Sequence, residues 1–228
     1  MKTYLSNILS LEKELDLESE YFIHQLFEAQ VLKTPAAIAA IVQDQKLTYE
    51  ELNIKANQVA HYLRALAIGP EILVGVCLER SLEMLIVSLG VLKAGAAYVP
   101  LDPTHPQERL ALVIMDARMP ILLTQTHLIN TLPQSRTRLI AVDQAWDVII
   151  RQPLENPINL GIPDDLACVM YTPGSAGEPQ GFQIQHRGAV DFLKLMAEQH
   201  PGLTATDTLL AAMTITFDIS VPKMKVSV

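Results

Sequence analysis

Apolar and polar positions alternate along the chain in blocks that predict strands and helices in turn. Continuous apolar runs such as ILVGVCL (72–78) and LACVMY (166–171) are typical of parallel strands buried on both faces. The pattern predicts strands at 36–43, 72–78, 96–101, 120–124, 139–142, 166–171, 182–186 and 208–213, and helices at 24–35, 49–69, 81–93, 106–117 and 188–199. Strands that alternate with helices predict right-handed crossovers and a mostly parallel sheet covered on both sides, which is an α/β fold.

Several helix ends carry local signals. Thr48 and Glu51 have the spacing of a capping box, in which each side chain bonds the other residue's backbone N–H. Ser81 is placed to cap the next helix, and Gly69-Pro70 is expected to end the helix that begins after Thr48. Residues 151–163, rich in proline and asparagine, predict an extended surface connection.

Composition narrows the class of protein. The net charge of −8 and the lack of any Lys/Arg cluster argue against nucleic acid as a partner. Cys77 and Cys168 lie inside apolar strands and are expected to be reduced core thiols. Acidic residues interrupt the N-terminal segment, and Lys93, glycines and a proline interrupt the most apolar stretch, so neither a signal peptide nor a membrane span is expected. A cytoplasmic protein is the expectation.

A glycine-rich loop joins two of the predicted strands, with the sequence YTPGSAGEPQG at 171–181. Glycines in such a loop let backbone N–H groups converge into a concave site that attracts phosphate oxygens. It is not a Walker A loop, because Pro179 stands five positions after Gly174 and no Gly-Lys-Ser/Thr follows. Motif chemistry alone leaves a tight hairpin and a phosphate-binding loop equally open.

Four blocks in series are similar to one known family. They are LTYEELN (47–53), LKAGAAYVPLDP (92–103), YTPGSAGEPQG (171–181) and FDIS (217–220). Together they resemble the adenylation domains of nonribosomal peptide synthetases, within the superfamily of adenylate-forming enzymes. The first two blocks are expected to be scaffold, and lining of a pocket is the less favoured alternative for the second. The resemblance implies the N-terminal portion of the adenylate-forming fold, with ATP and magnesium as cofactors, an amino acid as substrate, and other synthetase modules as possible partners.

The resemblance also implies site residues. Those expected to line the phosphates are Thr172, Gly174, Ser175, Gly177 and Gly181. Phe217 and Asp218 match the block whose aspartate pairs with the ammonium group of the amino acid, which would offset the cost of burying both charges. Without the resemblance, Asp218 would be interpreted as an exposed residue at a strand end. The resemblance assigns no catalytic residue and no metal ligand within this sequence.

Three loop positions depart from the family pattern. Pro173 stands where the family has serine, Ala176 where it has threonine, and Gln180 where it has lysine. A hydrogen bond to a charged group contributes roughly 1.5–3 kcal/mol, so losing two or three such contacts predicts severely weakened activity.

The expected organisation is a helix or linker at 1–20, a truncated AMP-binding domain at 21–221, and a divergent tail at 222–228. The tail PKMKVSV departs from the apolar run that the family usually has, which predicts a frameshift or truncation after about Val221. The leading hypothesis is a fragment of an amino-acid adenylation domain that is inactive alone. One alternative is a non-catalytic remnant that binds nucleotide weakly or docks to another part of a synthetase. Another is an acyl-group ligase fragment, against which Asp218 argues because such substrates carry no ammonium group.

Overall fold

Helices and strands alternate as predicted in the computed structural model, which describes residues 22–173, 179–199 and 226–227. The helices are α1 (Ile23–Lys33), α2 (Tyr49–Ala65), α3 (Leu82–Ala94), α4 (Gln107–Ala117), α5 (Val142–Ile149) and α6 (His186–Gln199). The strands are β1 (Ile38–Val42), β2 (Gln45–Thr48), β3 (Leu73–Cys77), β4 (Ala97–Pro100), β5 (Ile121–Thr124), β6 (Arg138–Ala141), β7 (Leu166–Pro173), β8 (Pro179–Gln185) and β9 (Val226–Ser227). The predicted strand at 208–213 lies outside the described residues.

The main sheet has the strand order β6-β5-β3-β4-β7-β8. The first five strands are parallel, and β8 pairs with β7 in the antiparallel sense. The chain passes from β3 to β4 on one side and then returns to β5 on the other side, so β3 is central. The prediction of an α/β fold with a mostly parallel sheet is confirmed.

Helices cover both faces of this sheet. Val74 and Val76 of β3 belong to the larger apolar cluster, which includes residues of α2 and α3. Cys77 faces the second cluster, beneath α4. Gly75 also faces that side, where a Cβ atom would collide with the side chains of Leu122 and Met119. Alternate residues of one strand therefore serve opposite faces, as the continuous apolar run requires.

A smaller sheet stands beside the main one. Its central strand β1 pairs antiparallel with β2, and a bulge interrupts the register between Ile38 and Ala40. On the other side of β1, Val226 and Ser227 pair in the parallel sense with Ala40 and Ile41. Two residues of the sequence expected to be a divergent tail thus form a short strand.

Local capping signals predicted two helix starts correctly. The Glu51 N–H donates to Thr48 Oγ1 over 3.1 Å, and the Thr48 N–H donates to Glu51 Oε2 over 2.8 Å, which completes the capping box at α2. The Met84 N–H donates to Ser81 Oγ over 3.2 Å at the start of α3.

The predicted end of α2 at Gly69-Pro70 is wrong. The helix ends at Ala65, and Ala67 adopts the left-handed conformation with φ of 61°. The Ile68 N–H then donates to the Leu63 carbonyl over 3.1 Å, as in a Schellman motif. An alanine therefore occupies a position that usually carries glycine.

Helix α5 was not predicted. It has eight residues, follows β6 directly, and no side chain caps its first turn. A short 3₁₀-helix at Thr126–Thr131 was also missed. Residues 151–163 form an extended connection without helix or strand, as predicted. Among the described residues, no helix combines the length and apolar character needed to cross a membrane.

A buried polar cluster fastens the extended connection to the helices. The Lys93 side chain is fully buried and pairs with Glu28 of α1. Its Nζ also donates to Asn156 Oδ1 over 3.2 Å, and Asn57 donates to the same oxygen over 3.0 Å. Burial lowers the pKa of Lys93, while the charge of Glu28 and the hydrogen bond that Lys93 donates to it oppose that shift. The lysine of the LKAGAAYVPLDP block thus has a structural role, which agrees with the expectation that this block is scaffold.

Candidate functional site

The described ends of the glycine-rich segment, residues 172–173 and 179–181, lie at the carboxyl edge of the parallel strands. Strand β7 neighbours β4 and is followed by this loop, after which β8 returns beside β7. At the base of the loop Thr172 pairs with Gln180, and Pro173 pairs with Pro179. The two strands therefore form an antiparallel hairpin, as one of the two interpretations of the motif predicted.

The structure brings together only part of the predicted site. Thr172 is half-buried at the end of β7, and Gly181 lies on the exposed edge strand β8. Gly174, Ser175 and Gly177 lie outside the described residues, as do Phe217 and Asp218. Phosphate contact by the loop and ammonium contact by Asp218 accordingly remain predictions.

Gly181 lies against the ring of Tyr171. A Cβ atom at Gly181 would lie 3.1 Å from Tyr171 Cζ and 3.1 Å from Val169 Cγ1, which is too close for an unstrained side chain. The Tyr171 hydroxyl donates to Asp116 Oδ2 of α4 over 2.5 Å, and burial together with this bond raises the pKa of Tyr171. Glycine at 181 therefore lets the tyrosine ring lie across the hairpin and fasten it to α4.

A second contact fastens the other end of the hairpin. His186 follows β8 and begins α6, two residues before the predicted helix start, and its Nδ1 accepts a 3.3 Å hydrogen bond from the Ile23 N–H. The ring of His24 lies 5.6 Å from the ring of His186. Burial lowers the pKa of His24 to about 3, with the nearby His186 contributing, and burial lowers the pKa of His186 to about 4. Both rings are thus neutral at neutral pH.

A cavity of about 290 Å³ opens at the same edge of the sheet. The loops after β3 and β4 line it, and α3 and α4, which follow these strands, lie on opposite faces of the sheet. Ligands of open α/β sheets bind where the strand order reverses in this way. Scaffold was the favoured interpretation of the LKAGAAYVPLDP block, but its Asp102 and Pro103 line this cavity, as the less favoured alternative allowed. Its lining residues include Leu78, Arg80, Met84, Asp102, Thr104 and Leu128.

Asp102 is held in place within this cavity. Its Oδ1 accepts from the Thr104 N–H over 2.9 Å and from the Thr104 hydroxyl over 2.6 Å. Burial alone would raise the pKa of Asp102, but these hydrogen bonds, with His105 and Arg80 nearby, lower it below the usual value. The cavity therefore holds a fixed carboxylate at neutral pH.

The described residues offer no evident metal site. In the ranges that the structure covers, no group of three or more His, Cys, Asp or Glu side chains is placed to hold a metal ion. Cys77 and Cys168 are free and buried, as predicted. Burial raises the pKa of both thiols to about 12; the Asp102 charge adds to this at Cys77, and a hydrogen bond with Tyr98 opposes it at Cys168. Neither thiol is a reactive thiolate.

An open, mostly parallel α/β sheet with a glycine-rich loop at its carboxyl edge is typical of proteins that bind phosphate-containing ligands there. The model of the AMP-binding enzyme family matches residues 27–226. The chain therefore belongs to the AMP-binding enzyme family, which confirms the resemblance inferred from the four sequence blocks.

Curated relatives include synthases that are much longer than this chain. The chain is 43% identical over 211 residues to a linear gramicidin synthase of Brevibacillus parabrevis, a match that covers 92% of this chain and 4% of that protein. It is 39% identical over 203 residues to zwittermicin A synthase ZmaJ of Bacillus cereus, with coverage of 89% and 38%. The chain thus spans a small part of the relatives it matches.

Solved structures agree with this assignment. A crystal structure of the nonribosomal peptide synthetase FmoA3 bound to alpha-methyl-L-serine-AMP matches with a TM-score of 0.81 and 31% identity, covering 91% of this chain and 22% of that one. The AMPPNP-bound form of FmoA3 matches with a TM-score of 0.80 and 32% identity, covering 89% and 21%.

Proposed function

We propose that this chain is part of an amino-acid adenylation domain of nonribosomal peptide synthesis, spanning residues 21–221. In this reaction a carboxylate oxygen of the amino acid attacks the α-phosphorus of ATP. The new O–P bond forms as the bond to the β-phosphate breaks, and pyrophosphate leaves with the electron pair. The observation that carries the proposal is the position of the glycine-rich hairpin at the carboxyl edge of the parallel sheet. The AMPPNP-bound and aminoacyl-AMP-bound structural neighbours support ATP and an amino acid as the ligands.

The loop between β7 and β8 would supply phosphate contacts from the Thr172 hydroxyl and from backbone N–H groups at Gly174, Ser175 and Gly177. Such a site acts by positioning and by stabilising charge rather than through a nucleophile of the protein. Gly181 would contact phosphate only through its backbone, and its lack of a side chain lets the hairpin lie against the Tyr171 ring. Asp218 would pair with the ammonium group of the amino acid. Magnesium would neutralise phosphate charge, but the described residues give it no set of carboxylate ligands.

The chain alone is expected not to turn over. Pro173 lacks a backbone donor, Ala176 lacks a hydroxyl, and Gln180 lacks the positive charge found in the family. Gln180 is exposed beside Thr172, so its side chain is free to reach the loop without disturbing the core. ATP–pyrophosphate exchange measured with a panel of amino acids tests this expectation. Exchange above background with any of them would show that the loop tolerates these departures.

A single substitution tests whether the loop contacts phosphate. Gln180→Lys restores a cation at the base of the hairpin. A hydrogen bond to a charged group contributes roughly 1.5–3 kcal/mol, so ATP should bind about 10- to 150-fold more tightly when measured by calorimetry. Gln183→Lys is the matched control, since residue 183 is also exposed on β8 and the net charge changes equally. We expect less than about a twofold change there. Equal effects of the two variants would reject specific phosphate contact by the loop.

The non-catalytic alternative gives a different pattern. A remnant that binds nucleotide would show saturable ATP binding in the calorimeter, strengthened by Gln180→Lys, without exchange in any variant.

The acyl-group ligase alternative is distinguished by its substrate. If Asp218 contacts the ammonium group, an amino acid and the same acid without its amino group should differ strongly in binding affinity.

A further inference from the structure

An extended segment carries a row of exposed apolar side chains. Ile158, Leu160 and Ile162, here called the apolar row, are 82%, 56% and 61% exposed. The residues between and beside them face the protein: Pro157, Asn159 and Gly161 are half-buried, and Pro163 is buried. The alternation has period two, as in a strand that rests on a surface. Here the outward positions are all large and apolar, which is the reverse of the usual water-facing pattern.

The apolar row is held in a defined position. The Ile162 N–H donates to Asp165 Oδ2 over 2.8 Å at one end. Asn156, just before the row, accepts hydrogen bonds from Asn53 and Lys93 at 2.9 and 3.2 Å. The row is therefore a fixed surface and not the product of a loose loop.

The first described residue lies next to this row. The ring of Phe22 is buried, and its Cε1 atom is 3.4 Å from the position that a Cβ atom would take on Gly161. Gly161 stands between Leu160 and Ile162 and faces the protein, so the Phe22 ring packs against the inner side of the segment whose outer side carries the apolar row. A segment of 21 residues that starts there needs no long excursion to cover it.

The preceding sequence has an apolar face of matching size. Tyr4, Ile8, Leu11 and Leu15 are spaced by four, three and four positions, which places them on one side of a helix. From residue 4 to residue 15 a helix rises about 16 Å, and from residue 158 to residue 162 an extended chain rises about 13 Å. The Leu/Glu-rich pattern was one reason to expect a helix or linker at 1–20.

We propose that residues 4–15 form a helix whose face of Tyr4, Ile8, Leu11 and Leu15 docks on the apolar row of the same chain. The short stretch 16–21 would return to Phe22. This docking covers Ile158, Leu160 and Ile162 and couples the start of the chain to the connection that enters β7. It does not depend on nucleotide binding, so it stands or falls separately from the proposed function.

Hydrogen exchange of the full chain tests the docking. Amides of residues 4–15 should exchange at least about tenfold more slowly than in a synthetic peptide of residues 1–21, since a docked helix protects its backbone. Leu160→Asp should abolish this protection, and Met115→Asp should leave it intact. Met115 is a matched control because it is 70% exposed but lies on α4, over the other face of the sheet. Unprotected amides in the unaltered chain, or protection that survives Leu160→Asp, would overturn the proposal.

Cross-linking distinguishes the possible occupants. The chain's own cysteines are buried, so a pair introduced by Leu11→Cys and Leu160→Cys can be followed without interference. We expect a disulfide within one chain, and none for the pair Leu11→Cys and Met115→Cys. A disulfide that joins two chains, with a concentration-dependent dimer lost in Leu160→Asp, would assign the row to a second copy and refute intramolecular docking.

Discussion

Replacing Glu28 with glutamine should destabilise the protein strongly, because it leaves the Lys93 ammonium buried beside neutral groups. The Lys93 side chain is 0% exposed and that of Glu28 is 19% exposed. Breaking a buried ion pair by removing one partner costs about 3–5 kcal/mol. Asn156 still accepts from Lys93 Nζ in the variant, so we expect the lower end, about 3 kcal/mol. With a urea dependence of about 2–3 kcal/mol per molar, the unfolding midpoint should fall by about 1 M.

The double variant Glu28→Gln with Lys93→Met provides the internal control. It removes both charges, so its stability should lie closer to that of the unaltered protein than the stability of Glu28→Gln does. The fluorescence of Trp146, the only tryptophan of the sequence, and circular dichroism give two independent probes of urea unfolding.

The pH dependence gives a second check with a definite sign. Burial already lowers the pKa of Lys93, and Glu28→Gln removes the interactions that oppose this shift. A lysine with a folded-state pKa below its unfolded value binds fewer protons in the folded state between the two values. The stability of Glu28→Gln should therefore rise, relative to the unaltered protein, as the pH increases toward the unfolded-state lysine pKa of 10.5. A variant within about 0.5 kcal/mol of the original at pH 7, with no such rise, would refute the account of a desolvated pair.

Three further outcomes are expected. The folded-state pKa values of His24 and His186 are about 3 and about 4, against 6.5 in the unfolded chain. The contribution of these two neutral rings to the free energy of unfolding is therefore fully present above pH 6.5 and is lost as the pH falls toward 4. In urea titrations at pH 7 and pH 4, His24→Leu should reduce the fall in unfolding free energy between the two pH values by on the order of a few kcal/mol. An unchanged fall would contradict a neutral, buried His24. Ala67→Gly should stabilise the protein by about 1 kcal/mol because φ is 61° there, whereas Ala65→Gly in the helix should destabilise it by a similar amount. Thermal melts in which both variants shift the melting temperature in the same direction would reject the Schellman geometry. Thr48→Ala should cost about 1 kcal/mol through loss of the cap on Glu51, measured by chemical unfolding, and a neutral result would count against a stabilising capping box.

Local signals predicted the fold well where the controlling contacts are close in sequence. The capping box at Thr48 and the buried run of β3 depend on residues a few positions apart, and both are confirmed. Helix α5 was missed because two turns give too little periodicity and its start carries no capping side chain. The end of α2 was placed too late because alanine rarely takes the left-handed conformation that Ala67 adopts.

The candidate site was predictable only in part. The motif placed the glycine loop between two strands correctly. Phosphate contact depends on residues 174–178 and ammonium contact depends on Asp218, and both contacts remain predictions. The hydrogen bond from Tyr171 to Asp116 and the pairing of Lys93 with Glu28 join residues that are 55 and 65 positions apart. Such partners leave no periodic signal in a single sequence.

The hydrogen bond from Ile23 to His186 bears on synthesis as well as stability. These residues are 163 positions apart. At about 5–20 residues per second, roughly 8 to 30 seconds of synthesis separate Ile23 in α1 from His186. Until His186 is made, the Ile23 N–H lacks the ring nitrogen to which it donates. During that interval Phe22, Ile23 and His24 have no partner from α6. Helix α1 is therefore a segment to which nascent-chain chaperones would have a long time to bind.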